Sequence, residues 1–288
     1  MKHILLFFLM CGWIVPAYAI NVAATFPPVH SLVAAVMMNV DMPVLINQEA
    51  SQSHHTYELK TGEAKRIAKA DIIFWIGPEM ETFMPNALKN IAKKSVVSVP
   101  LMTETPDLTI LPSARGQGAP DVHIWLNPDN TIKMVGHIAD VLSKADPENQ
   151  KRYRENAQKF QKTIATLKDY KVKPAESMPT VVSLHDGYQY LFDYMGLNGS
   201  TSLVIDTDRL TGPKTLQQAK NDIAALHPTC LIVEPGMKNR TIRALTDDQY
   251  RLIYMEPMGW YLKSNPGHYM TSMVRAMRNI RDCLELKE

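Results

Sequence analysis

What most constrains this chain is a strand–helix alternation that runs through it twice. Short apolar runs are separated by amphipathic stretches, first from Ile20 to Val99 and again from Val181 to Met255. In the first pass strands are expected at Ile20–Phe26, Pro43–Asn47, Asp71–Ile76 and Ser95–Val99. Helices fill the gaps at Ser31–Asn39, Thr61–Ala70 and Met80–Lys94, with the Thr61 hydroxyl placed to cap a free backbone N–H. In the second pass strands fall at Val181–Leu184, Ser202–Ile205, Cys230–Val233 and Leu252–Met255. Its helices are Asp186–Met195, closed by Gly196, then Pro213–Leu226 and Gly267–Leu284. Strands joined through helices favour parallel pairing, because a parallel neighbour needs a crossover and a hairpin cannot supply one.

Between the two passes the pattern changes. Thr103–Val122 is rich in proline and glycine and reads as a surface loop. A helix is expected over Asp129–Lys144, and Pro147 suits the first turn of another. In that second helix Tyr153, Ala157, Phe160, Ile164 and Leu167 recur at steps of four and three, which is one apolar stripe. It carries no glycine or internal proline before Pro174, so it is expected to be rigid. The expected fold is therefore α/β: two lobes, each a mostly parallel sheet flanked by helices, joined by one long rigid helix. The expected boundaries are residues 20–146, 147–172 and 173–288. No internal sequence repeat is visible, so any likeness between lobes would be structural.

Residues 1–19 stand apart from the rest. Lys2 and His3 precede an apolar run from Ile4 to Val15, and Ala17-Tyr18-Ala19 is a small-x-small cleavage site. That is the pattern of a secretory signal peptide, and the run is short for a membrane span. The mature chain is expected to begin at Ile20 and to work outside the cytoplasm. Met10 stands before Cys11 where a lipoprotein would have a small residue, so Cys11 is read as part of the discarded signal. Cys230 and Cys283 remain, and in an oxidising compartment a disulfide between them is expected, two separate buried thiols being the alternative. The formal net charge of +2 gives no reason to expect nucleic acid or a membrane surface as partner.

Histidine placement points toward chemistry. His137 lies within a helix, His227 at a helix end and His268 at the start of the last helix, which are ordinary surface or capping positions. His55, His123 and His185 instead fall in loops or at strand ends, where open α/β sheets gather their ligands. Their convergence would place a metal in the cleft between the lobes. Glu256 and Glu234 each end a strand and are candidates for a ligand, for an acceptor behind a histidine, or for a solvated loop residue. Three imidazoles and one oxygen suit tetrahedral Zn²⁺. No His-Glu-x-x-His or Gly-x-Ser-x-Gly is present, which argues against a zinc hydrolase, the main rival class.

Four segments together resemble the solute-binding proteins of zinc and manganese ABC transporters, most closely the zinc branch of ZnuA type. They are His55-Thr56-Tyr57-Glu58-Leu59, Ala70–Glu81, His123-Ile124-Trp125-Leu126-Asn127-Pro128 and His185-Asp186-Gly187-Tyr188-Gln189-Tyr190. The resemblance spans essentially the whole mature chain. It implies His55, His123 and His185 as metal ligands, an interlobe cleft and a rigid connecting helix. It also implies a periplasmic carrier, monomeric and not an enzyme, that captures Zn²⁺ and hands it to the membrane permease of an ABC importer. A manganese or iron carrier of the same fold is the alternative. The chain departs from the family pattern in four places. His54 stands where proline is usual, Val122 stands where proline or methionine is common, the Thr103–Val122 loop has no run of histidines or acids, and the fourth position, usually aspartate, is Glu256. His30, at a helix start near the same cleft, is a further candidate.

Overall fold

The computed structural model describes residues 20–48, 59–114, 118–172, 179–203 and 213–285. The chain runs β1 (Val22–Ala24), α1 (Pro27–Val36), β2 (Val44–Leu45), α2 (Thr61–Lys69), β3 (Ile72–Trp75), α3 (Met84–Asn90), β4 (Val97–Pro100) and α4 (Leu101–Glu104). Then come α5 (Pro128–Ala145) and α6 (Gln150–Ala165). The second half is β5 (Val181–Ser183), α7 (Gln189–Met195), β6 (Thr201–Ser202), α8 (Pro213–Ala225), β7 (Cys230–Val233), α9 (Asn239–Thr246), β8 (Arg251–Tyr254) and α10 (His268–Cys283).

Among the described residues the strands form two four-stranded sheets, ordered β2-β1-β3-β4 and β6-β5-β7-β8, and every pairing within them is parallel. The two orders are the same pattern, so the lobes repeat in structure what they do not repeat in sequence. The central strands β1, β3, β5 and β7 are buried along their whole length. That is why they read as continuous Val, Ile and Leu runs without alternation.

Several expected boundaries move, each for a local reason. Helix α1 begins at Pro27, because two prolines at its start cost no backbone hydrogen bond there. Thr61 is the first helical residue of α2 and not its cap; the Glu63 carboxylate reaches back to the Lys60 amide at 2.8 Å. Helix α3 starts four residues late because Glu81 turns its carboxylate onto the preceding loop. Residues 185–188 form a turn, and the helix expected from Asp186 starts at Gln189. Gly196 closes α7 with φ +77°, as expected. Helix α9 was not expected at all.

The long connecting helix is three consecutive pieces: a 3-10 turn at Pro147–Asn149, α6, and a 3-10 stretch at Thr166–Tyr170. Its stripe packs as expected, with Tyr153, Ala157, Ile164 and Leu167 buried. Helix α6 leans on α5 and α1, whereas the 3-10 stretch meets α10 of the second lobe. Apolar side chains from both lobes form one continuous core, from Val22 and Phe74 through Tyr153 to Ile232 and Ile280. Polar ties cross the same boundary. Trp125 donates to the Pro257 carbonyl at 3.0 Å, Tyr269 donates its hydroxyl to Thr131 at 3.1 Å, and Ser31 bridges Pro266 and the Tyr269 amide. Cys230 and Cys283 form a disulfide that fastens α10 to β7. Among the described residues, no helix is long and apolar enough to cross a membrane.

Candidate metal centre

His185 follows β5, at the carboxyl end of a central strand. The Ser183 hydroxyl accepts from the His185 amide at 3.1 Å and donates to its carbonyl at 2.9 Å, which fixes the turn. His123 comes from the first lobe, in the loop that leads through a 3-10 turn (Ile124–Leu126) into α5. Asn127 caps that helix by accepting from the Asp129 and Asn130 amides, so the segment carrying His123 is anchored one turn away.

The two imidazoles meet across the lobe boundary. Their Nε2 atoms lie 3.4 Å apart and their rings stand edge to face at 82°. Behind each ring stands a carboxylate. His123 Nδ1 is 2.8 Å from Asp121 Oδ1, with both side chains 1% exposed. His185 Nδ1 is 3.2 Å from Glu234 Oε1, where the side chains are 19% and 38% exposed. An ionised carboxylate accepts only, so these contacts favour the neutral tautomer with the proton on Nδ1, in which each Nε2 presents a lone pair. Two lone pairs facing one another attract a cation. Two nitrogens bound to one tetrahedral zinc at about 2.0–2.1 Å would stand about 3.3–3.4 Å apart, which is the spacing found.

Gly187 is part of this geometry and was not singled out from the sequence. A Cβ at that position would lie 2.5 Å from His185 Cδ2, 2.9 Å from His185 Nε2 and 3.0 Å from His123 Nε2. Any side chain there would press into the point where the two nitrogens meet. The signal in the sequence was a glycine two residues after a strand-end histidine.

Glu256 holds its own loop. Its two oxygens accept from the Met258 amide at 2.7 Å and the Trp260 amide at 2.6 Å. Burial pushes its carboxyl up to about 7, the Met258, Trp260 and Gly259 amides pull the other way, and the Glu234 charge adds to the rise. Tyr188 is fully buried against His185, its rings edge to face, and feels the charges of both Glu234 and Glu256. His55 and His54 lie outside the described residues. Among the described residues no three His, Cys, Asp or Glu side chains are grouped to hold a metal, so the structure gathers two of the expected ligands.

His30 and His268 have other partners. His30 is buried in α1 with Nε2 on the Pro43 carbonyl at 2.9 Å. His268 is buried, not at the surface, because the 256–260 loop folds over it and the Gly259 carbonyl meets its Nε2 at 3.0 Å. Burial lowers the pKa of both.

The family model described as "ZnuA: Zinc-uptake complex component A periplasmic" matches residues 22–283. The chain belongs to this family. Among its curated members the high-affinity zinc uptake system protein ZnuA of Brucella abortus (strain 2308) is 27% identical, over 95% of this chain and 94% of that protein. Two solved structures have the same fold. FpvC of Pseudomonas aeruginosa in complex with Mn²⁺ superposes with a TM-score of 0.78 at 21% identity, covering 92% of this chain and 98% of the other. The Zn(II)-bound ZnuA-like domain of Streptococcus pneumoniae AdcA gives 0.71 at 21% identity, covering 90% and 98%. The two-lobe α/β architecture expected from the alternation is thus that of its family.

Proposed function

We propose that this chain captures one Zn²⁺ between His123 and His185 and delivers it to the permease of an ABC-type zinc importer. The observation that carries the reading is the pair of Nε2 atoms 3.4 Å apart, each ring backed by a carboxylate on its other nitrogen. His55 is the third ligand in this reading. Glu256 is the fourth, through a carboxylate oxygen. Zinc is favoured over manganese because imidazole nitrogen suits zinc, whereas manganese favours oxygen. In this reading the metal is cargo and the protein is not an enzyme, in keeping with the zinc-uptake family to which the chain belongs.

The wider reading follows from the family and the N-terminal segment. Signal cleavage after Ala19 releases a monomer into the periplasm. There, residues 20–146 and 173–288 act as the two metal-binding lobes, and residues 147–172 hold them together. Native mass spectrometry of the chain from Ile20, offered mixed metals, tests the core of this. The expected result is one zinc per chain, with binding weakened as pH falls through the histidine range, because a protonated imidazole cannot ligate. A chain that retains no zinc, or that fills with manganese in preference, would overturn it.

A further inference from the structure

The first-lobe histidine is gripped by the second lobe. Asp121, which holds His123, is also held from across the boundary by the residues that follow His185. Gln189 Nε2 donates to Asp121 Oδ2 at 3.4 Å and to Asp186 Oδ1 at 3.1 Å. The Tyr190 hydroxyl donates to the Asp121 carbonyl at 3.0 Å and accepts from the Leu111 amide at 2.9 Å. Asp186, next to His185, takes the Ser113 hydroxyl at 2.7 Å and the Ala114 amide at 3.3 Å. Asp121 accepts four times, from the His123 ring, the His123 amide and Gln189 on its carboxylate and from Tyr190 on its carbonyl, while its own amide donates to the Leu111 carbonyl at 2.8 Å.

We propose that Gln189 and Tyr190 are positioning residues that, through Asp121, set the His123 ring against His185 before any metal arrives. This rests on the reading of the histidine pair as the metal site. The physical reason is a competition between tautomers. If Asp121 loses its place, the His123 proton can move to Nε2 and be donated to His185 Nε2 across the same 3.4 Å. That contact would satisfy both rings without a cation and would compete with metal. With Asp121 held, the proton stays on Nδ1 and the two lone pairs remain presented. The connecting helix alone does not supply this, because it fixes the lobes and not the ring.

The test uses the mature chain carrying Tyr190→Phe with Gln189→Ala, and separately Asp121→Asn. Tyr153→Phe is the control, since it removes another tyrosine hydroxyl bond, the part-buried one to Asp146 at 2.7 Å within the connecting segment. Two readouts are taken. The first is the His123 tautomer in metal-free protein, from two-bond ¹H–¹⁵N correlations. Wild type and control should show Nδ1–H; the double variant and Asp121→Asn should gain Nε2–H. The second is zinc affinity by chelator competition, expected to fall roughly 10–100-fold in the double variant, as for other partners of metal-binding histidines, and not in the control. An unchanged tautomer in both variants would overturn the proposal, as would an unchanged affinity beside a wild type that binds zinc. A wild type that binds no zinc would refute the function proposed for the pair, and the tautomer readout would still decide this inference.

Discussion

The two lobes share one strand order, yet the same place in each sheet holds different chemistry. In the first lobe the ends of β1 and β3 close on Glu81. It accepts from the Thr25 hydroxyl at 2.6 Å and from the Ile76 and Gly77 amides at 3.0 Å each, and it is fully buried. In the second lobe the ends of β5 and β7 carry His185 and Glu234, half-open and facing the other lobe. Topology makes a pocket at these strand ends in both lobes. Whether the pocket is structural or chemical depends on whether its polar groups satisfy each other or point outward. The first lobe fills its own pocket and contributes His123 from a loop instead.

Crossing the two pockets gives the largest effects. His185→Ala should abolish tight zinc binding and leave folding close to wild type, since His185 is partly exposed. Glu81→Ala should do the reverse. It strands two amides and a hydroxyl in the core, for about 3–5 kcal/mol of stability, while zinc affinity per folded molecule stays unchanged. Chemical denaturation beside chelator competition reads both. If Glu81→Ala weakened zinc binding as much as His185→Ala, the division between the pockets would fail.

The disulfide belongs to the second lobe. It closes a loop with a sequence separation of 53, for which the chain-entropy argument gives roughly 4 kcal/mol. Cys230→Ser with Cys283→Ser should therefore lower the denaturation midpoint while zinc stoichiometry persists. A midpoint unchanged from wild type would show that α10 docks without it.

Glu256→Ala should cost less zinc affinity than His185→Ala, because water can replace a carboxylate oxygen but not an oriented imidazole pair. An equal loss would make Glu256 an obligatory ligand.

The smallest effect is a slope. Burial pushes the Glu81 carboxyl from its ordinary 4.5 up to about 7. The folded state thus holds that proton more tightly than the unfolded chain. The stability this contributes is present in full below pH 4.5 and is lost as pH rises through 7. Glu81→Gln should be less stable throughout, yet its stability should change less between pH 5 and 7 than that of wild type. Parallel curves would contradict the assignment.

Much of this was legible in the sequence, where burial is continuous. The central strands announced themselves as unbroken apolar runs, whereas His123 and His185 were marked, together with His55, only by their places in loops or at strand ends and by the family resemblance of the segments that carry them. The end of α6 was legible in part. Ile164, Leu167 and Tyr170 are three apart, the period of the 3-10 stretch that follows, although the stripe was read as one continuous helix. Helix α9 escaped notice because it buries only Ile242, Leu245 and Thr246 over two turns, too few positions to show a period. The work of Glu81 and Glu256 was invisible for another reason. A carboxylate that satisfies loop amides looks in sequence like one that waits for a ligand, and only the folded loop distinguishes them.

The central claim is that zinc sits on the Nε2 atoms of His123 and His185. X-ray absorption of the zinc-loaded mature chain and of its His123→Ala variant tests this most directly. The account predicts imidazole scattering with nitrogens at about 2.0–2.1 Å, and fewer imidazoles or no retained zinc in the variant. A zinc shell of oxygens alone, or one that does not change when His123 is removed, would contradict it.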